Sequence, residues 1–228
     1  MNLVAGYQNW RQLLFVHWPV RAAELRPLVP PSMTIHEFGG SAFVGLVPFV
    51  VEAARPAGAP PTIGLRFLET NVRTYVHVDG RDPGVYFFSL DAASLLAVVG
   101  ARLSLGLPYY WASGEQRTAA NTVDYRLRRR VGRRPGCRVR YDVGAYQGPA
   151  RPGSLEHFLV ERYVLHVQRG SRLWSVRVRH QPYPLHDVRL TILDEQLVAA
   201  AGLLPRGDVP LVHFASGVDV AIGPPRIR

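Results

Sequence analysis

Leu65-Arg-Phe-Leu-Glu-Thr-Asn-Val-Arg-Thr-Tyr-Val-His-Val78 is the stretch on which the fold turns, because it reads as one long strand. Successive side chains of a strand point to opposite faces. One face therefore carries Arg66, Leu68, Thr70, Val72, Thr74, Val76 and Val78, mainly aliphatic and suited to packing on a helix. The other carries Phe67, Glu69, Asn71, Arg73, Tyr75 and His77. A solvated face is the ordinary explanation for a polar row. Solvated faces, however, favour plain charge and threonine over an acid, an amide, a guanidinium, a phenol and an imidazole in succession. A barrel whose interior holds one ligand expects such a row on its inner wall. At this point both explanations stand.

Working outward, the strand opens a hairpin that turns at Asp79-Gly-Arg-Asp-Pro-Gly84 and returns from Val85 to Leu90. Upstream, Leu13 to Trp18 and Phe43 to Val51 read as strands. Val20 to Val29 reads as a helix stopped by Pro30-Pro31, and Arg55 to Pro61 as a loop suited to a flap. Downstream, Asp91 is placed to cap a helix from Ala92 to about Leu103, apolar all round and therefore expected to be buried, with Gly106 beyond its end. Thr122 to Arg130 pairs with Arg138 to Tyr146, and Val164 to Gln168 pairs with Leu173 to His180. Ser154 caps a short helix to about Arg162, a helix lies around Asp194 to Ala201, and a last strand spans Leu211 to Ala215. Strands outnumber helices and hairpins join most of them. The expected fold is thus α+β, β-dominated and largely antiparallel, in one domain spanning residues 1–228.

Composition narrows the chemistry. The 228 residues carry a formal charge of +10, and all 27 basic residues are arginine. Guanidinium groups stay protonated and are not amine nucleophiles. No side chain here can form a Schiff base, and a P-loop of the usual Gly-Lys-Ser/Thr kind is excluded. With 47% hydrophobic residues the chain can fill a core. The lone Cys137 forms no internal disulfide and fits a reducing cytoplasm. The amino-terminal stretch lacks a signal-peptide pattern, and the longest apolar run, Ala42 to Val51, is far short of the roughly 20 residues that span a bilayer. A cytoplasmic protein with no membrane association is expected.

Several blocks carry a resemblance. Phe67-Leu-Glu-Thr-Asn-Val-Arg-Thr-Tyr-Val76, Gly84-Val-Tyr-Phe-Phe-Ser-Leu-Asp-Ala92, Leu107-Pro-Tyr-Tyr110, Phe15-Val-His-Trp18, Leu155-Glu-His-Phe-Leu-Val-Glu-Arg-Tyr163 and His180-Gln-Pro-Tyr-Pro-Leu185 resemble the signature blocks of the YqjF-like family, DUF2071. That family is grouped with the acetoacetate decarboxylase-like superfamily. The resemblance implies a cone-shaped, largely antiparallel β-barrel with flanking helices around a central cavity, and homo-oligomers. It also implies a site. Acetoacetate decarboxylases carry their Schiff-base lysine in a Gly-aromatic-Pro-Lys-Lys segment shortly after a Gly-Arg pair. Here the similar segment runs Ala101-Arg102-Leu-Ser-Leu-Gly106-Leu107-Pro108-Tyr109-Tyr110, with tyrosines where the lysines would stand. By that comparison Glu69 is the expected catalytic carboxylate, and Arg73 or Arg102 the fork for a substrate carboxylate. Tyr109 is a hydrogen-bond donor or general acid, and Tyr110, Asn71, Tyr75 and His77 are binding residues. His17 is either a third catalytic residue of the cavity or a core histidine with one satisfied nitrogen.

Competing motifs are weaker. The eight histidines show no His-x-His or His-Glu-x-x-His spacing, so no metal is expected. No nucleophile elbow and no dinucleotide fingerprint occurs, and no cofactor is expected. The run Arg126-Leu-Arg-Arg-Arg-Val-Gly-Arg-Arg134, with Arg138 and Arg140, raises phosphate or nucleic-acid binding, but a solvated hairpin explains it more simply. Three functions follow. The first is a barrel binding a small anionic molecule, acting on a carboxylic acid or β-dicarbonyl compound by acid/base chemistry without a Schiff base. The second is a non-catalytic metabolite-binding or structural module. The third, disfavoured, is a phosphate or nucleic-acid binder.

Overall fold

Thirteen strands form one sheet in a computed structural model that describes residues 3–204 and 209–228. They are β1 (Gly6–Val20), β2 (Thr34–Ile35), β3 (Ala42–Pro56), β4 (Leu65–Val78), β5 (Arg81–Ala92), β6 (Tyr109–Ala119), β7 (Thr122–Arg129), β8 (Gly136–Gly148), β9 (Val164–Arg169), β10 (Arg172–Arg179), β11 (Leu185–Glu195), β12 (Leu211–Ile222) and β13 (Arg226–Ile227). Four short helices accompany them: α1 (Ala22–Leu25), α2 (Leu95–Leu105), α3 (Leu155–Val160) and α4 (Leu197–Ala200). No helix among the described residues is long and apolar enough to cross a membrane.

The sheet closes on itself. Neighbours run β13-β10-β9-β5-β6-β7-β8-β11-β12-β1-β3-β4-β2, and two further pairings, β4 with β5 and β10 with β12, join its parts into a ring. The ring is not a regular barrel. Two of its pairings, β5 with β6 and β5 with β9, are parallel, and the β9–β10 hairpin bridges from β5 to β12.

That bridge closes a second compartment beside the main one, with β1, β3 and β4 forming the wall between the two. On one side Leu14, Leu46, Val72 and Val76 pack with Tyr125, Val139 and Tyr141. On the other, Leu13, Phe15, Val47, Phe49 and Phe67 pack with Phe158, Leu159 and Tyr183. A shared wall explains why β4 is buried from Phe67 to Val76, with no face left to water. Its aliphatic face does not lie on a helix alone, as the sequence suggests. Thr70 bonds the Tyr125 hydroxyl at 2.8 Å, so strand β7 lies against it, while Leu25 and Leu197 of α1 and α4 join the same core.

Three further expectations need correcting. The helix after β5 starts at Leu95, where the Ser94 hydroxyl accepts from the Ala97 N–H, and Asp91 stays in the strand, paired with Arg129. It ends as anticipated at Gly106, whose φ of 67° suits glycine. It is not buried. Only Val98 is covered, whereas Leu96 is 72% and Leu103 75% exposed. The third concerns Arg55 to Pro61: β3 runs on to Pro56, and Pro61–Ile63 is a turn of 3₁₀ helix, leaving only residues 57–60 irregular.

Candidate functional site

The second compartment is not filled. A cavity of about 190 Å³ opens between β1, β3, β4, β5, β9 and β10, with α2 over one side. Its walls are mostly apolar, including Trp10, Leu13, Phe49, Phe87, Leu107 and Val176. Against these stand a few polar groups: Glu69, Asn71 and Arg73 from consecutive inward positions of β4, Tyr109 from the start of β6, and Arg162 from just beyond α3. Larger clefts, such as one of about 650 Å³ beside Arg177 and Arg228, lie elsewhere and hold no carboxylate of comparable burial.

Local pairing brings Tyr109 to Glu69. Glu69 faces Ala92 across the β4–β5 ladder, and β6 enters in parallel beside the same end of β5, with Tyr109 next to Leu90. The Tyr109 hydroxyl donates to Glu69 Oε2 at 3.0 Å. The backbone of Tyr109 is secured from outside by Arg102, whose Nε donates to its carbonyl at 2.7 Å. Glu69 is 4% exposed. Burial in this apolar wall raises its carboxyl to about 8, against the Tyr109 hydrogen bond, which favours the anion; the charge of Asp91 adds to the rise. Burial and the neighbouring Glu69 push the Tyr109 phenol well above its ordinary value, so it remains a donor.

The cationic side of the cavity is held by a buried cluster. Arg73 Nη2 donates to the Leu159 carbonyl at 3.1 Å, an acceptor it shares with the Tyr75 hydroxyl at 2.7 Å. The buried carbonyl end of α3, which has no further helical turn to bond to, thereby gains two donors. Because Tyr75 gives its proton to Leu159, His17 Nε2, 2.7 Å from the phenol oxygen, is the donor in that contact, and its Nδ1 is left without a partner. Burial holds His17 well below its ordinary value, with the Arg73 charge acting the same way, so it is neutral. Gly45 makes this arrangement possible. It sits in register between His17 on β1 and Arg73 on β4, and a Cβ there would lie 2.9 Å from His17 Cδ2 and 3.5 Å from Arg73 Cγ.

Arg162 completes the set. Its guanidinium lies 4.2 Å from the Phe158 ring centre and 5.3 Å from that of Tyr75. Nε and Nη2 are buried without hydrogen-bond partners, as are Arg73 Nε and Asn71 Oδ1. Burial, with the nearby charge of Arg73, pushes Arg162 down to about 10, so it is a cation at neutral pH. Neither guanidinium has a carboxylate in ion-pair range among the described residues.

The residues singled out from sequence thus divide. Glu69, Asn71, Arg73 and Tyr109 share the cavity. His17 and Tyr75 lie behind its wall and support Arg73. Arg102 and Tyr110 lie outside. Arg102 is exposed, and the Tyr110 ring stacks on Arg129, 3.7 Å away, which in turn pairs with Asp91. His77 is carried past the cavity by the length of β4; it meets His36 edge to face and accepts from the Gly80 N–H. Arg162 was missed, although it sits in the Leu155–Tyr163 block, because it follows a helix whose apolar face accounts for its neighbours. The arginine-rich hairpin is exposed and partly self-neutralised: Arg126 pairs with Glu115 and Asp124, and Arg138 with Asp124. Among the described residues no three of His, Cys, Asp and Glu group as metal ligands would.

Comparison with known proteins places the fold. The chain is 35% identical to the uncharacterized protein YqjF of Bacillus subtilis (strain 168) over 221 residues, covering 96% of this chain and 90% of that protein. Its fold is similar to that of the enduracididine biosynthesis enzyme MppR, at a TM-score of 0.68 and 16% identity, covering 100% of this chain and 91% of that one. It is similar also to acetoacetate decarboxylase from Legionella pneumophila subsp. pneumophila str. Philadelphia 1, at a TM-score of 0.65 and 14% identity, covering 99% of this chain and 88% of that one. The family model for DUF2071, an uncharacterized conserved protein, matches residues 7–219, and the chain belongs to that family.

Proposed function

We propose that the cavity binds a small anionic molecule, a carboxylic acid or β-dicarbonyl compound, and that Glu69 and Tyr109 serve acid/base chemistry on it. The observation that carries this reading is the pair Arg73 and Arg162. Two guanidiniums on the wall of an apolar cavity, with buried N–H groups and, among the described residues, no carboxylate partner, are costly unless a ligand satisfies them. An anionic ligand would satisfy both, and charge-assisted bonds to a planar carboxylate suit their fork geometry.

The comparisons support the size class. MppR, of similar fold, has been solved in complex with pyruvate, a small 2-oxo acid. The chemistry must differ from that of a Schiff-base decarboxylase, since the chain has no lysine and tyrosine occupies position 109. What remains beside a bound acid is a carboxyl titrating near neutrality with a phenol holding it, which is the equipment of proton transfer.

Thermal denaturation in the presence of pyruvate, acetoacetate, 2-oxobutyrate and benzoate tests the reading. A ligand at about 100 times its Kd adds roughly 2.7 kcal/mol, a rise of several degrees. Arg162→Gln and Arg73→Gln should abolish that rise. If no small acid raises the melting temperature, and Glu69→Gln, Arg73→Ala and Tyr109→Phe behave like the parent protein with every acid, the reading fails.

A further inference from the structure

The Glu69 carboxyl makes one hydrogen bond, through Oε2 to Tyr109, and among the described residues Oε1 has no partner. One oxygen is therefore used to orient the group and the other is free on the cavity side. Arg73, four residues further along the same strand, and Arg162 line the same cavity, and among the described residues no second carboxylate does. We propose that this cavity is an enolisation site for small 2-oxo or 3-oxo acids: Arg73 and Arg162 hold the carboxylate and the ketone oxygen, and Glu69 removes and returns a proton at the carbon beside the ketone. The proposal rests on the anion-binding reading above and names the reaction that the bound acid undergoes.

The step balances within the site. The C–H bond next to the ketone breaks and its proton passes to Glu69 Oε1. The C–H electron pair becomes the new C=C bond, and the carbonyl π pair moves onto oxygen. The resulting enolate is one charge richer at oxygen, and fixed guanidiniums in a water-poor cavity are suited to stabilise that charge. Return of the proton restores the ketone. Exchange of Glu69 with solvent in the interval replaces carbon-bound hydrogen by solvent hydrogen, with no oxidant, reductant or amine required.

The surroundings make Glu69 a suitable base. A base is most effective when its pKa lies near the working pH, and burial in this wall raises Glu69 to about 8. The charged and titratable groups near it are Tyr109 from β6 and Asp91 from β5 with its partner Arg129 from β7; Arg73, further along β4, Arg162 and Tyr183 line the same cavity. The Tyr125 hydroxyl donates to the Glu69 backbone carbonyl and fixes the strand at this residue. Of these, the Tyr109 bond lowers the Glu69 value and Asp91 raises it.

Incubation of the whole chain with 2-oxobutyrate or pyruvate in D2O, followed by proton NMR, measures loss of the signal from carbon beside the ketone. Saturation-transfer difference spectra on the same samples report binding. Exchange about 100-fold or more above buffer is expected, rising with pH through a midpoint near 8. Glu69→Gln should return it to the buffer rate while the binding signal persists. Tyr109→Phe, which removes the bond favouring the carboxylate, should move the midpoint of the pH profile upward. A 2-oxo acid that binds but does not exchange above buffer, or exchange that Glu69→Gln leaves intact, overturns the enolisation proposal and leaves the binding reading standing. Absence of any binding signal overturns both.

Discussion

Replacing Glu69 by glutamine should change the pH dependence of stability more than stability itself at low pH. The folded protein holds the Glu69 proton up to about 8, whereas the unfolded chain releases it near 4.5. A proton bound more tightly in the native state stabilises that state below the ordinary value, and the benefit is lost as pH rises through the folded value. Between those limits each pH unit removes about 1.4 kcal/mol from the parent protein. At pH 7 the loss is roughly 3 kcal/mol, and above pH 8 it levels at about 5 kcal/mol. Glutamine keeps an acceptor for the Tyr109 hydroxyl and has no proton to lose. The two proteins should therefore melt together near pH 4.5, and Glu69→Gln should melt higher at pH 7. For a chain of this length roughly 3 kcal/mol corresponds to about 6–12 °C. Thermal melts followed by circular dichroism from pH 4.5 to 8.5, run side by side, cancel the titration of every other group. Parallel curves with a constant offset would refute the reasoning, because they would mean that Glu69 titrates alike in the folded and unfolded chains.

Other positions offer independent checks. Gly45→Ala should destabilise by about 1–3 kcal/mol through overpacking against His17, and should weaken acid binding as the shifted His17 disturbs the Tyr75 hydroxyl that backs Arg73; chemical denaturation and thermal shift with pyruvate read the two effects. Arg129→Met leaves the buried Asp91 without its partner and should cost about 3–5 kcal/mol in denaturant melts, whereas the exposed pair Arg117–Glu115 should contribute under about 1 kcal/mol. Ser94→Ala removes the cap of α2 and should cost about 1 kcal/mol by the same measurement. Cys137 is buried and its thiol is pushed up to about 12, so a thiol reagent at pH 8 should label it only when denaturant unfolds the chain.

How much of this was legible in the sequence depends on the range of the interactions involved. β4 could be read because its alternation is local, and its polar row led directly to Glu69, Asn71 and Arg73. The cap at Ser154 and the stop at Gly106 are also local, and both stand. β6 was invisible, because its strand state is imposed by pairing with β7 over Ala112 to Ala119 while its own residues are small, polar and largely exposed. β11 is different: Val188, Leu190 and Ile192 alternate with Arg189 and Thr191, so its strand pattern is present in its own residues. For α2, apolar composition was equated with burial, but what a helix buries depends on what the fold lays against it, and only one edge of α2 is covered. Arg162 and the backing role of His17 rest on contacts across the ring, between Tyr75 and Leu159 and between β1 and β4, which no local period encodes.

The tyrosine at position 109 gives this chain a use in protein chemistry. Reagents that acylate amines, or alkylate them reductively, ordinarily scatter over the many lysines of a protein surface. Here no lysine competes. In a Tyr109→Lys variant the introduced amine would be the sole one on any side chain, and it would stand beside Glu69 in a cavity of about 190 Å³. A dye, a crosslinker or an isotope label could then be addressed to one interior coordinate, apart from the backbone amino group. The size of the group accepted would measure the cavity directly, as a ruler measures a bore.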